Sequence, residues 1–270
     1  PDEGESRSTL EWKRAAADSA LRIGLSSIAV SLYEQLLNKV GEDDEDRDEL
    51  ALGLATAQLS EGRFAEAGVI LANLKENGSP RVRLRRALLA HHRKDALAIS
   101  HELQGISEEH LPLEERGWFY LLNGISMLGG KDRAMAQNFF DDATKLAVSE
   151  AQRTEFLVLL FRAKIESGNA DEVLRVKLKN EWERFKNESA GFNFAIEYAS
   201  VLQALDRPKE AIAVIEAQLK ALSGQHSEKK PDLLLALGLL IQDTDSKRGS
   251  EALEELVEQA DNPILANAGL

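Results

Sequence analysis

The sequence predicts an all-α solenoid of about seven antiparallel helix-turn-helix hairpins. Three observations predict it. Apolar residues keep helical spacing almost unbroken along the 270 residues. Short breakers interrupt that spacing every 15 to 20 residues. One pattern of small and large side chains recurs at about the length of a hairpin.

The breakers include, in order, Gly41–Asp46, Asn77-Gly78-Ser79-Pro80, Gly129-Gly130, Gly168-Asn169, Asp206-Arg207-Pro208, Ser223–Ser227 and Asp243–Gly249. Ser79 before Pro80 reads as an N-cap with proline in the first turn, where its missing N–H costs nothing. Pro208 and Pro263 follow Asp206 and Asn262 in the same way. Connections this short make neighbouring helices antiparallel, and none is long enough to separate independent domains. Residues 1–7 are expected to be a flexible acidic N-terminus, 8–262 a single repeat array, and 263–270 the start of a further helix or a tail.

The recurring pattern is a small residue, a large apolar one four later, and a small or apolar one three further. Its clearest copies are Ala29/Tyr33/Leu36, Ala67/Leu71/Leu74 and Ala136/Phe140/Ala143. Ala211/Ile215 and Ala252/Leu256 continue it, while Ala96/Leu103 and Val173 are poorer copies. Intervals between the small residues are 38, 29, 40, 37, 38 and 41. A turn residue precedes each by five or six positions: Gly24, Gly62, His91, Gly130, Gly168, Asp206 and Lys247. Ala17, Ala55, Gly124 and Ala199 lie twelve residues before four of them. Small residues on both helices of a hairpin let the axes approach, and the large residue fills the next interface.

This pattern resembles the tetratricopeptide repeat family, whose unit carries W-x2-L-G-x2-Y in its first helix and A-x3-F in its second. The best copy is Tyr120-x3-Gly124-x2-Met127 followed by Ala136-x3-Phe140-x2-Ala143, and Ala55…Gly62-Arg63-Phe64-Ala65-Glu66-Ala67 is another. The third and fifth units depart most, with Leu84 and Phe161 in the small seat and Lys177 in the large one. The resemblance covers roughly residues 8–262. It implies a right-handed superhelix whose first helices line the inner, concave face and hold a peptide or protein partner. The family's carboxylate clamp is not implied: the corresponding places carry Arg14, Asp18 and Thr56, without its Lys/Asn pair.

Composition narrows the function. A net charge of −13 repels phosphate backbones and anionic lipid surfaces, so no nucleic-acid partner is expected. The longest apolar stretch, Leu233–Ile241, is far short of the roughly 20 residues of a spanning helix, so no membrane insertion is expected. Absence of cysteine excludes disulfides, thiolate metal sites and cysteine nucleophiles. No signal peptide is visible. The opening Pro1-Asp2-Glu3-Gly4-Glu5-Ser6 suits either the residues after a cleaved export signal or the edge of an excised segment, which leaves the compartment open between cytoplasm and export.

Chemistry is sparse. His91, His92, His101 and Asp95 cluster in sequence, but His91 and Asp95 straddle an expected turn, so no metal site is predicted. Leu128-Gly129-Gly130-Lys131-Asp132 lacks the strand and the full spacing of a phosphate loop and reads as a hairpin turn. No nucleophile motif stands out, so neither enzyme activity nor a cofactor is predicted.

The candidate site residues are Arg81, Arg85, Trp118, Arg162 and Asn193. Arg81, Arg83, Arg85, Arg86, Arg93 and Lys94 give +6 over residues 81–94 with no acid among them. Arg81 and Arg85, four apart, share a helical face. One reading is an anion-facing patch for an acidic peptide, a terminal carboxylate or a phosphorylated segment; the other is neutralisation by acidic neighbouring helices. Trp118 lies about 200° around the helix from Tyr120. It reads either as a binding anchor or as a residue packed on the neighbouring hairpin. Arg162 and Asn193 occupy first-helix places that the resemblance turns inward. Alternatives to a binding scaffold are self-assembly, a structural segment of a larger protein, and an accessory domain for a small ligand or envelope polymer.

Overall fold

A computed structural model of the chain describes residues 7–41, 44, 46–75, 78–128, 133–221, 230–241, 247 and 251. Among these residues the regular elements are helices and no strand occurs. The chain divides into two compact units, Pro1–Val148 and Ser149–Leu270.

The first unit holds four hairpins. They are α1 (Arg7–Arg22) with α2 (Ser26–Leu37), α3 (Arg47–Ser60) with α4 (Phe64–Asn73), α5 (Pro80–His92) with α6 (Ala96–Leu103), and α7 (Leu113–Met127) with α8 (Arg133–Lys145). Each second helix packs on the first helix of the next hairpin, and α1, α3, α5 and α7 also touch in sequence. The second unit holds α9 (Glu150–Glu166) with α10 (Glu172–Phe185), α11 (Ser189–Ala204) with α12 (Pro208–Ala221), and α13 (Lys230–Ile241). There α9, α11 and α13 form the row of first helices. The second helix of a seventh hairpin, read at Ala252/Leu256, lies outside the described residues. So do Pro263 and the turns at Gly129–Asp132, Ser223–Ser227 and most of Asp243–Gly249.

Five hairpin turns share one backbone form. Gly24, Gly62, Lys94, Gly168 and Asp206 have φ of 79°, 79°, 57°, 71° and 59°. At the second turn Arg63 N–H donates to the Gln58 carbonyl at 2.9 Å and Gly62 N–H to that of Leu59 at 3.2 Å. The same pair of bonds, which satisfies the last free carbonyls of a helix, closes the other four. The third turn corrects the sequence reading. His91 lies inside α5, and Lys94 takes the left-handed position instead. Ser79 caps α5 as expected, accepting from Val82 N–H at 3.4 Å with Pro80 in the first turn. Asp95, Ser149 and Asp171 cap α6, α9 and α10 alike.

Ala29, Ala67, Ala136 and Ala211 are all completely buried. Large neighbours lean on first-helix glycines. A Cβ at Gly53 would meet the Tyr33 ring at 2.5 Å, and one at Gly124 the Phe140 ring at 2.5 Å. In the third and fifth hairpins the seats move. Ala96 is exposed and Val173 is 64% exposed, while Ile99, Leu174 and Leu178 are buried. In the third hairpin the small partners sit on the first helix, as Ala87 and Ala90, in the same cluster as Ile99 and Leu103. Lys177 is therefore no departure, because Leu178 fills the large seat.

The second unit has an aromatic core. Phe194 of α11 lies 5.6 Å from Phe185 and 6.4 Å from Phe161, centroid to centroid. Trp182 Nε1–H donates to the buried Gln218 Oε1 at 2.7 Å, and Gln218 Nε2 donates to the Lys186 carbonyl at 3.0 Å. That link ties α10 to α12. Among the described residues no helix is long and apolar enough to cross a membrane.

Candidate functional site

In the first unit the side-by-side first helices pool their charged side chains into a row of ion pairs. Arg14 of α1 donates from Nη1 to Asp46 Oδ1, just before α3, at 3.1 Å. Asp18, one turn further along α1, accepts from the Tyr33 hydroxyl at 2.5 Å. Burial, and then the Asp18 hydrogen bond and charge, push the Tyr33 hydroxyl pKa well up.

The row continues through α5. Arg81 Nη1 donates to Glu49 of α3 at 2.7 and 2.8 Å, and its Nε donates to Glu115 Oε1 of α7 at 3.2 Å. Arg85 meets Glu115 end-on. Its Nη2 donates to Oε1 at 2.6 Å and its Nη1 lies 2.6 Å from Oε2. Arg85 Nε also donates to Thr56 Oγ1 of α3 at 3.1 Å. Three consecutive first helices are thus cross-linked by five side chains. Arg85 and Glu115 are buried, whereas the Glu49 side chain is 47% exposed. Burial pushes the Glu115 carboxyl up. The hydrogen bonds and charges of Arg85 and Arg81 outweigh that and hold it below its ordinary value.

Arg83 and Arg86 of the basic run are also engaged. Arg83 Nη2 donates to the His101 and Gln104 carbonyls at 3.1 and 2.8 Å, at the end of α6. Arg86 Nη2 donates to the Leu71 carbonyl of α4 at 2.8 Å. These cations close helix C-termini, where free carbonyls collect negative potential. Arg93 and Lys94 are exposed at the hairpin turn, and His92 stacks on Phe64 at 4.1 Å.

The structure therefore brings Arg81 and Arg85 together, both already bound by acids. Trp118, three residues after Glu115 on α7, is partly buried and packs against the apolar cluster that contains Leu84, Ile99 and Leu103. In the second unit Arg162 of α9 donates to Glu197 Oε1 of α11 at 2.7 Å. Its side chain is 45% exposed and that of Glu197 only 4%. Asn193 is exposed on α11, four residues before Glu197 and so on the same helical face. Glu49, Thr56, Glu115 and Glu197 were not singled out in the sequence. The signal was there: Glu115 lies 34 residues after Arg81 and Glu197 35 after Arg162, about one repeat in each case.

No family model matches the chain, and no curated protein matches it. Solved structures do. One is a Rap protein complexed with Competence and Sporulation Factor, with a TM-score of 0.66 and 11% identity over 97% of this chain and 77% of that one. Another is a tetratricopeptide repeat protein from Parabacteroides merdae, with a TM-score of 0.50 and 12% identity over 97% of each chain. At such identities the likeness speaks for the fold alone. Together with the paired helices, the repeated left-handed turns and the buried alanine seats, it establishes that this chain has a tetratricopeptide-repeat-like, all-α helical-repeat fold.

Proposed function

We propose that the chain is a non-catalytic interaction scaffold that takes a peptide or protein partner along the face of its first helices. The observation that carries this reading is the row of charged side chains across α1, α3, α5 and α7, buried at Glu115 and open to solvent at Glu49 and Arg14. Stacked hairpins offer such a face as one extended surface. The Rap protein of similar fold, complexed with Competence and Sporulation Factor, supports it.

On this reading the contact residues of the first unit are Arg81 and Trp118, and the second unit by itself offers Arg162 and Asn193. Arg85 acts from below, by orienting Glu115 and Arg81. An acidic partner group enters by replacing Glu49 on Arg81, because Glu49 is the exposed member of that pair.

The test is capture of a stoichiometric partner on the immobilised chain, followed by titration with the purified partner. Arg81→Glu and Trp118→Ala are expected to weaken binding at least tenfold while the far-ultraviolet circular dichroism stays unchanged. Full affinity in both variants removes this face as the binding site.

A further inference from the structure

We propose that α1 carries a self-complementary docking stripe through which two copies of the chain pair, α1 against α1, antiparallel and related by a twofold axis. The stripe is Trp12, Ala16, Ser19 and Ile23. At 100° per residue these four fall within about 60° of one another on the helix. The Ile23 N–H still donates to the Ser19 carbonyl at 3.1 Å, so the last member keeps helical register. All four are exposed, Trp12 by 75% and Ile23 by 71%.

The repeat shows what this face does when it is covered. Ala17 and Ala55 are equivalent small residues of consecutive first helices, 38 apart. The same offset carries Trp12, Ala16 and Ser19 onto Leu50, Leu54 and Ala57 of α3. Those three are buried in one cluster with Ala29, Val30, Tyr33 and Leu36 of α2. In α3, then, this stripe is the seat of an antiparallel helix. In α1 the equivalent positions are open to solvent.

The order of side chains points to a second copy as the occupant. Read along α1 the stripe runs large, small, small, large. Turned end for end it sets Trp12 against Ile23 of the other copy and Ala16 against Ser19. The small pair in the middle lets the axes approach while the large ends lock over them. Such a contact is isologous, the commonest geometry of homodimers. Charge agrees. Glu11 and Arg22 flank the stripe on one side, and the same turn brings Glu11 of each copy level with Arg22 of the other. One helix against one helix is smaller than a standard interface, so the dimer is weak and concentration-dependent.

Sedimentation equilibrium from low micromolar to millimolar concentration tests this. The natural chain is expected to pass from monomer to dimer, and Trp12→Glu and Ile23→Glu each to remain monomeric. Because the chain has no cysteine, Ser19→Cys supplies a unique thiol. It is expected to form a covalent dimer on mild oxidation, while Leu97→Cys, on the 84% exposed Leu97 of α6, is not. A chain that stays monomeric throughout leaves the stripe to some other helix and overturns the proposal, as does a dimer that survives both glutamates. The inference stands apart from partner binding: Arg81→Glu and Trp118→Ala are expected to leave the dimer unchanged.

Discussion

Two arginine–glutamate links join consecutive first helices one repeat apart, and they end in opposite electrostatic states. In the first unit Glu115 faces two guanidinium groups, from Arg85 and Arg81. In the second unit the contact to Glu197 comes from Arg162. Both carboxylates are buried, and burial penalises the charged form of each. For Glu115 the arginines win and its pKa falls. For Glu197 the charge and hydrogen bond of Arg162 do not overcome burial, the charge of Glu166 adds repulsion, and its pKa rises. The difference teaches that a short ion pair is not by itself a stabilising one. At these two sites the sign follows the balance of burial against the charges that face the carboxylate.

The sharpest way to break the comparison is to remove the carboxylate charge at each site. Glu115→Gln leaves Arg85 buried without its counter-charge and strips Arg81 of its inner partner. Breaking a buried pair from one side costs about 3 kcal/mol or more. Urea unfolding, read from Trp118 in a Trp12→Phe, Trp182→Phe background, is expected to show a loss of that size. Pairing Glu115→Leu with Arg85→Met is expected to recover most of it, since no unpaired charge then remains. A loss below about 1 kcal/mol in the single variant means that the network does not hold the three helices together.

Glu197→Gln is expected to do far less, within about 1 kcal/mol of neutral at pH 7, because the substitution removes a charge that burial already opposes. The two glutamates also separate by pH. Glu197 holds its proton more tightly in the folded chain than unfolded. Its contribution is therefore present below the ordinary value of 4.5 and lost as pH rises from there through its raised native value. Glu115 runs the other way. Its contribution is present above 4.5 and lost as pH falls through its depressed native value. Carboxyl carbon shifts followed by NMR are expected to place the Glu115 midpoint below 4.5 and the Glu197 midpoint above it. Coincident midpoints remove the distinction.

How much of this was legible in the sequence differs between backbone and charge. The hairpins were legible because Gly24, Gly62 and Gly168 supply the left-handed turn residue in plain view. The third turn was assigned to His91 instead of Lys94 because Lys94 carries that conformation without being glycine. The third and fifth seats were misplaced because the pattern sought a small residue on the second helix. In the third hairpin, Ala87 and Ala90 provide the room from the first helix and Ile99 fills it. The basic run looked uncompensated because its acids lie outside it, on neighbouring helices. Glu49 and Glu115 are 32 and 34 residues from Arg81, a distance that becomes contact only once the repeat has stacked.

The smallest expected effect tests where the first network ends. Glu49 touches Arg81 as closely as Glu115 touches Arg85, at 2.7 Å against 2.6 Å, so distance alone ranks them together. Exposure ranks them apart, because the Glu49 side chain is 47% exposed and that of Glu115 only 8%. Water solvates a released Glu49, and Arg81 keeps Glu115, so Glu49→Gln strands no buried charge. Its cost is expected to be below about 0.5 kcal/mol and to vanish in high salt, as for surface pairs generally. A salt-independent loss near that of Glu115→Gln makes Glu49 part of the buried lock. In that case Arg81 has no exposed face to offer a partner, and an acidic ligand has to be sought at Arg162, whose side chain is the more open of the two.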